Sequence, residues 1–258
     1  MNDPDTGFFV VLGHARTGTN LFCSLLNSNP AVTCAFEVLH PGDDELRKHF
    51  HTEIVEPTKE WLKFSPGKEK KKTVHYIESK LLPKATKSRP FGPKLLYPHI
   101  QELGLFSYLA RHNFSFLHVT RNPIEVYVSL EQARQTGQWY AGRGEPRPPV
   151  APAVDINPAE LGRFISSYKQ QVDRHNRISP KMFKVDYANL CADPQGVMDR
   201  AFGFLGVASG TVKSQSRKQQ SWNIADRISN FDWLLTQVPE DVRDRLLALT
   251  EREQLDNS

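Results

Sequence analysis

Short apolar runs alternate along this chain with amphipathic stretches, and the alternation sets the expected elements. The first run, "FFVVL" (8–12), is continuous, aromatic and β-branched, as in a strand buried on both faces. The stretch behind it puts Leu21, Leu25 and Leu26 on one side of a helix expected from about Thr17 to Ser28, which "NP" at 29–30 stops. Further strands are expected at "AVTCAF", ending at Glu37, at "KLLY" (94–97) and at "SFLHVT" (115–120), with "IQELGLFSYLARH" forming a helix before the last of these. The helix after "SFLHVT" has a well-defined start: Asn122 can cap it, Pro123 suits its first position, and Glu125 has the spacing of a capping box. A helix from about Pro158 to Ile178, a strand "MFKVDY" (182–187), a helix "PQGVMDRAFGFLGV" and a last helix near 239–252 complete the pattern.

Strands that alternate with helices predict an α/β fold with a central, mostly parallel sheet flanked by helices. Ligands of such sheets sit at the carboxyl ends of the strands, where Arg16, Glu37 and Arg121 all fall. The 258 residues suit a single domain with a polar insertion at 41–90 and a mobile, Pro- and Gly-rich loop at 141–156. The run "KEKKK" (68–72) reads as a solvated face.

Composition changes this picture little. With 39% hydrophobic and 24% charged residues the chain can bury a core, and its net charge of +4 excludes few partners. No nucleic-acid partner is expected. Cys23, Cys34 and Cys191 lack metal-ligand spacing and read as reduced thiols, with Cys23 a small core residue. "MNDPDTG" has no signal-peptide character, and no apolar run nears the roughly 18 residues of a membrane span. A cytoplasmic protein is therefore expected.

The chemistry begins at "GHARTGTN" (13–20). Gly13 and Gly18 have the spacing of a phosphate-cradling loop, yet Thr19 stands where its lysine belongs and Asn20 where its magnesium-binding hydroxyl belongs. Arg16 supplies a permanent charge instead, and Thr17, Thr19 and Asn20 can add hydrogen bonds. Arg121 sits at a strand end and Ser129 about two turns into the next helix, so one phosphate lying along that helix could meet both. An arginine opposes the helix dipole at an N-terminus, which calls for an anion nearby.

These two stretches resemble the sulfotransferases that use 3'-phosphoadenosine 5'-phosphosulfate (PAPS). "ARTGTN" looks like their 5'-phosphosulfate loop, and R-N-P-x5-S at Arg121 and Ser129 like their 3'-phosphate site. The R-T-G-T core is similar to bacterial carbohydrate sulfotransferases of the nodulation-factor and trehalose-sulfating kinds, and the "QTGQW" ending to the trehalose-sulfating kind. "GPKLLYPH", "FKVDYANLCADPQGVMDRAFGFLGV" and "RKQQSWNIADRISNFDWL" are similar to later parts of the family.

The resemblance implies a P-loop-like three-layer sandwich and in-line sulfuryl transfer to a hydroxyl of a carbohydrate or glycolipid, with no metal. It implies that Arg16, with Gly18, Thr19 and the loop amides, stabilises the leaving phosphate, and that Lys94 is a second cation on the transferring group. It implies Glu37 as the general base, with His40 and His99 in reserve, and Lys218 and Trp222 as further donor contacts. A metal-dependent P-loop kinase or nucleotidase is the competing reading, and a non-catalytic adenosine-bisphosphate-binding module the third. The acceptor's identity and the oligomeric state are not legible.

Overall fold

The structure is a computed structural model and describes residues 7–39, 70–139, 151–213 and 223–255. In chain order it holds β1 (Phe9–Gly13), α1 (Thr19–Leu26), β2 (Thr33–Cys34) and α2 (Lys70–Tyr76). A π turn (Ile77–Leu81) and a 3-10 turn (Leu82–Lys84) extend α2 before β3 (Phe91–Gly92) and β4 (Lys94–Leu96). Then come α3 (Tyr97–Glu102), α4 (Phe106–Arg111), β5 (Ser115–Thr120), α5 (Pro123–Thr136) and α6 (Pro158–His175). The chain continues through β6 (Met182–Asp186), α7 (Tyr187–Ala192), α8 (Pro194–Leu205), a 3-10 turn (Ala225–Arg227), α9 (Phe231–Gln237) and α10 (Glu240–Leu255).

The chain divides into two compact units, Met1–Thr120 with Asp173–Gln215, and Arg121–Val172 with Ser216–Ser258. The first holds a parallel sheet of order β4-β1-β5-β6 and a two-stranded parallel sheet of β2 and β3. Helices flank the four-stranded sheet, so this is the expected α/β architecture. Every residue of β1 is buried, as its unbroken apolar run predicts, whereas the edge strand β6 is largely open. Val10 and Leu12 of β1, with Phe8 just before it, pack into a cluster with Leu95, Ile100, Leu105, Leu109 and Phe116. α1 packs on β1 and α8.

The sequence pattern misplaced several boundaries, each for a local reason. The helix expected to run continuously through "IQELGLFSYLARH" is two helices, because Gly104 between them adopts a φ of 61°. The strand expected at 94–97 stops at Leu96, where Pro98 favours the first turn of α3. β2 covers only Thr33–Cys34, because Phe36 has a φ of 45° and turns the chain out of extended backbone. Part of the polar stretch 41–90 contributes to the core, since Ile77 and Leu81 are buried in the same cluster as β1. The short helices α7 and α9 were not foreseen.

β3 and β4 pair with different partners, and Pro93 lies between them, where it costs neither sheet a donor. Its carbonyl accepts Val11 N–H at 3.0 Å. At Gly92 the two sheets come so close that a Cβ would lie 1.9 Å from the carbonyl oxygen of Phe9.

In the second unit Ile124, Tyr127 and Val128 of α5 pack against Ile156, Leu161, Ile165, Ile224, Ile228 and Leu246. Asn122 caps α5 by accepting Ile124 N–H at 2.9 Å, as its position predicts. Asn230 brackets Ile156, accepting its N–H and donating to its carbonyl, both at 3.0 Å.

Urea unfolding should rank two substitutions. Asn122→Ala should cost about 1 kcal/mol, the usual value of a lost N-cap. Gly92→Ala should cost more, upward of about 2 kcal/mol, because the obstructing atom is backbone and cannot turn aside.

Candidate active site

The loop after β1 is tightly constrained. Gly18, the residue before α1, has a φ of 90°, and a Cβ there would fall 2.2 Å from Cδ2 of Tyr187. Phe22 N–H makes the first helical bond, to the Gly18 carbonyl at 3.0 Å, so the amides of Thr19, Asn20 and Leu21 precede the hydrogen-bond ladder. The Thr17 hydroxyl donates to the His14 carbonyl at 2.8 Å and is fully buried, so it braces the loop from within. Arg16 itself has a left-handed φ of 68°, rare for a residue with a side chain.

Beside this loop the structure brings together three residues far apart in sequence. Lys94 lies on the edge strand β4, yet it is only 2% exposed and does not face water. Its ammonium is ion-paired to Glu37 and donates to Asn20 Oδ1. The backbone sets this meeting. Ala35 N–H bonds the Gly92 carbonyl and Lys94 N–H bonds the Phe36 carbonyl, both at 2.8 Å, which brings the turn bearing Glu37 alongside β4. His99, in the first helical turn after β4, places Nε2 3.8 Å from Glu37 Oε2, beyond a direct hydrogen bond.

A second polar chain lies at the C-terminal side of the same strand. Tyr97 and His118 are both buried and joined by a hydrogen bond of 2.5 Å between the phenol oxygen and Nε2. His118 Nδ1 lies 3.1 Å from Asn176 Oδ1, which makes Nδ1 the donor and Nε2 the acceptor of the Tyr97 O–H. The Tyr97 ring stacks on His175 at 4.2 Å and meets His14 of the loop edge-on. Burial pushes the His118 pKa down to about 4, so the imidazole is neutral. Nothing in the sequence marked this group. A lone histidine in an apolar strand carries no motif.

Burial and a hydrogen bond with Cys34 hold the Cys23 thiol well above its ordinary pKa, which suits an inert core residue.

In the second unit Arg121 immediately precedes Asn122, the N-cap of α5. Its Nη2 donates to Glu125 Oε1 at 2.8 Å, and its backbone N–H donates to the Tyr168 hydroxyl at 3.1 Å. Glu125 is therefore an anion that offsets an arginine at the positive end of a helix. Ser129 lies on the same helix and is 7% exposed. His40, Lys218 and Trp222 lie outside the described residues.

The family model described as "Sulfotransferase family" matches residues 9–209, well over half of the chain. The chain belongs to the sulfotransferase family. It is similar to Nodulation protein H of Rhizobium tropici, 28% identical over 238 residues and covering 86% of each chain. Nodulation protein H of Rhizobium meliloti (strain 1021) is 24% identical over 237 residues, covering 86% of this chain and 87% of its own. Among solved structures, a sulfotransferase from Alicyclobacillus acidocaldarius aligns with a TM-score of 0.44 at 16% identity, over 95% of this chain and 91% of that one. Mouse sulfotransferase SULT7A1 complexed with PAP aligns with a TM-score of 0.47 at 13% identity, over 96% and 89%.

The family match spans the loop, Glu37, Lys94, Arg121 and Ser129, so every described candidate of this sulfotransferase lies inside it. No helix among the described residues is long and apolar enough to cross a membrane.

The buried imidazole makes stability depend on pH. His118 has a folded pKa of about 4 against an ordinary value near 6.5, so between these values the unfolded chain binds the extra proton. The contribution is complete above about pH 6.5, declines as pH falls, and is gone near pH 4, on the order of 3 kcal/mol in all. Urea unfolding of the wild type and His118→Gln across this range should show a stability difference that shrinks towards pH 4.

Proposed function

We propose that this sulfotransferase moves the sulfuryl group of PAPS to a hydroxyl of a carbohydrate or glycolipid by in-line displacement. The observation that carries the reading is the Lys94 ammonium, ion-paired to Glu37 and hydrogen-bonded to Asn20 at the end of the phosphate-type loop. A cation and a carboxylate at the rim of such a loop are the two charges that this transfer needs. The sulfotransferase family match over residues 9–209 supports a donor of this kind. The likeness of the R-T-G-T loop to carbohydrate sulfotransferases supports the acceptor class.

In this mechanism the acceptor oxygen attacks sulfur while its proton passes to Glu37. A new oxygen–sulfur bond forms as the bond from sulfur to the bridging oxygen breaks. The electron pair stays on the 5'-phosphate of the departing adenosine 3',5'-bisphosphate. Arg16, Thr19 and the amides that open α1 stabilise the charge growing on that phosphate, and arginine does so without giving up a proton. Lys94 meets the equatorial oxygens of the transferring group. As its ammonium turns towards them it leaves Glu37, whose affinity for a proton rises when the cation departs. By the sequence pattern, Arg121 and Ser129 are assigned to the 3'-phosphate, and Lys218 and Trp222 to further contacts with the donor. His99, near Glu37, is the second candidate for the base.

Two measurements test the reading. Labelled PAPS offered with a panel of sugars, glycolipids and phenols should give transfer that EDTA does not inhibit, whereas ATP with magnesium should give none. Absence of transfer, together with no stabilisation by adenosine bisphosphate, would overturn it. Glu37→Gln should lower kcat by about a hundredfold or more while adenosine bisphosphate still binds. Full activity in that variant, with loss in His99→Gln, would reassign the base to His99.

A further inference from the structure

We propose that Asn20 is a positioning residue for the transfer, holding the Lys94 ammonium in place with its side-chain oxygen rather than acting chiefly as a ligand of the donor. This rests on Lys94 and Glu37 having the roles given above.

The position is telling. Asn20 stands where a metal-dependent phosphate loop carries its magnesium-binding hydroxyl. In the structure its Oδ1 accepts a hydrogen bond from Lys94 Nζ. Lysine is a long, rotatable side chain, and here it starts from a three-residue strand at the edge of its sheet. Its burial to 2% exposure makes acceptors obligatory. Glu37 supplies the charge and Asn20 the second acceptor. Two of the three ammonium N–H groups are thereby used, and when the ammonium turns to the transferring group and leaves Glu37, Asn20 is the acceptor that stays with it.

The two acceptors have different consequences. Glu37 alone would draw the ammonium towards itself, away from the loop, and would keep its own carboxylate neutralised. Asn20 is neutral, so it can hold the ammonium at the rim of the loop without adding a charge that repels a phosphosulfate. It also belongs to the first turn of α1, whose amides precede the hydrogen-bond ladder, so the position of Lys94 is tied to the loop and not only to its own strand. An aspartate here would hold Lys94 equally well but would place a negative charge beside the donor. An alanine would leave Glu37 as the one remaining acceptor of the pair.

The test measures kcat, the KM for PAPS and the Kd for adenosine bisphosphate in the wild type, Asn20→Ala, Lys94→Met and the double variant. Adenosine bisphosphate lacks the sulfuryl group that Lys94 meets, so its binding reports the folded loop without the lysine's contact. The expected result for Asn20→Ala is a kcat at least tenfold lower, with the Kd for adenosine bisphosphate within about twofold of wild type. In the double variant, Asn20→Ala should add little to the loss caused by Lys94→Met. A kcat close to wild type in Asn20→Ala would overturn the proposal. So would a tenfold weaker Kd with losses that multiply in the double variant, since that would make Asn20 a phosphate ligand. If Asn20→Ala does not fold, the near-isosteric Asn20→Leu, which is neutral and has no acceptor, decides by the same two criteria. A wild type that neither transfers from PAPS nor binds adenosine bisphosphate would instead refute the underlying function.

Discussion

An ammonium group buried to 2% exposure has to be neutralised, and much of the local architecture beside the phosphate-type loop follows from how Lys94 meets that demand. The partner carboxylate comes from a different part of the chain, so the backbone must bring it there. The hydrogen bonds from Ala35 to Gly92 and from Lys94 to Phe36 do so, running the segment before Glu37 alongside the start of β4. Gly92 allows the close approach and Pro93 closes the switch between the two sheets. Burying this charge is useful only if the charge has work to do, because well-packed apolar side chains would stabilise such a site at least as well.

The same region carries the two non-glycine residues of positive φ among those described, Arg16 and Phe36. Each such conformation costs on the order of 1–3 kcal/mol and persists only where its surroundings hold it. At Phe36 the hold is the Lys94 amide on its carbonyl and a ring that is 3% exposed. At Arg16 it is the loop braced by the Thr17 hydroxyl on His14. Strain therefore lies at the loop arginine and at the residue immediately before the candidate base.

The fold was largely legible because its central strands are buried on both faces and write themselves as unbroken apolar runs. "FFVVL" and "SFLHVT" place β1 and β5 almost to the residue. Edge elements were read less well, since strand and turn are close in energy there and one unusual dihedral decides between them. Phe36 shortened β2, and Gly104 divided a stretch whose apolar pattern runs on without a break. Asn122 was legible as a cap because capping is a local bond between neighbours. The arginine beside it was read as needing an anion, and the structure supplies one in Glu125, a residue that had been read only as part of the cap.

What the sequence by itself determined is the set of local features: the alternating elements, the loop with arginine in place of lysine, and the R-N-P-x5-S pattern. Each depends on residues within one or two turns of one another. What only the tertiary structure decided is the company those residues keep. That Lys94 is buried and not a solvated edge residue, that Asn20 and Glu37 are its partners, and that His118 is a neutral link between Tyr97 and Asn176 all depend on strand register and sheet order. Long-range pairings of this kind leave no periodic trace in the chain, because the cost of burying a polar group is met by whichever partner the fold delivers.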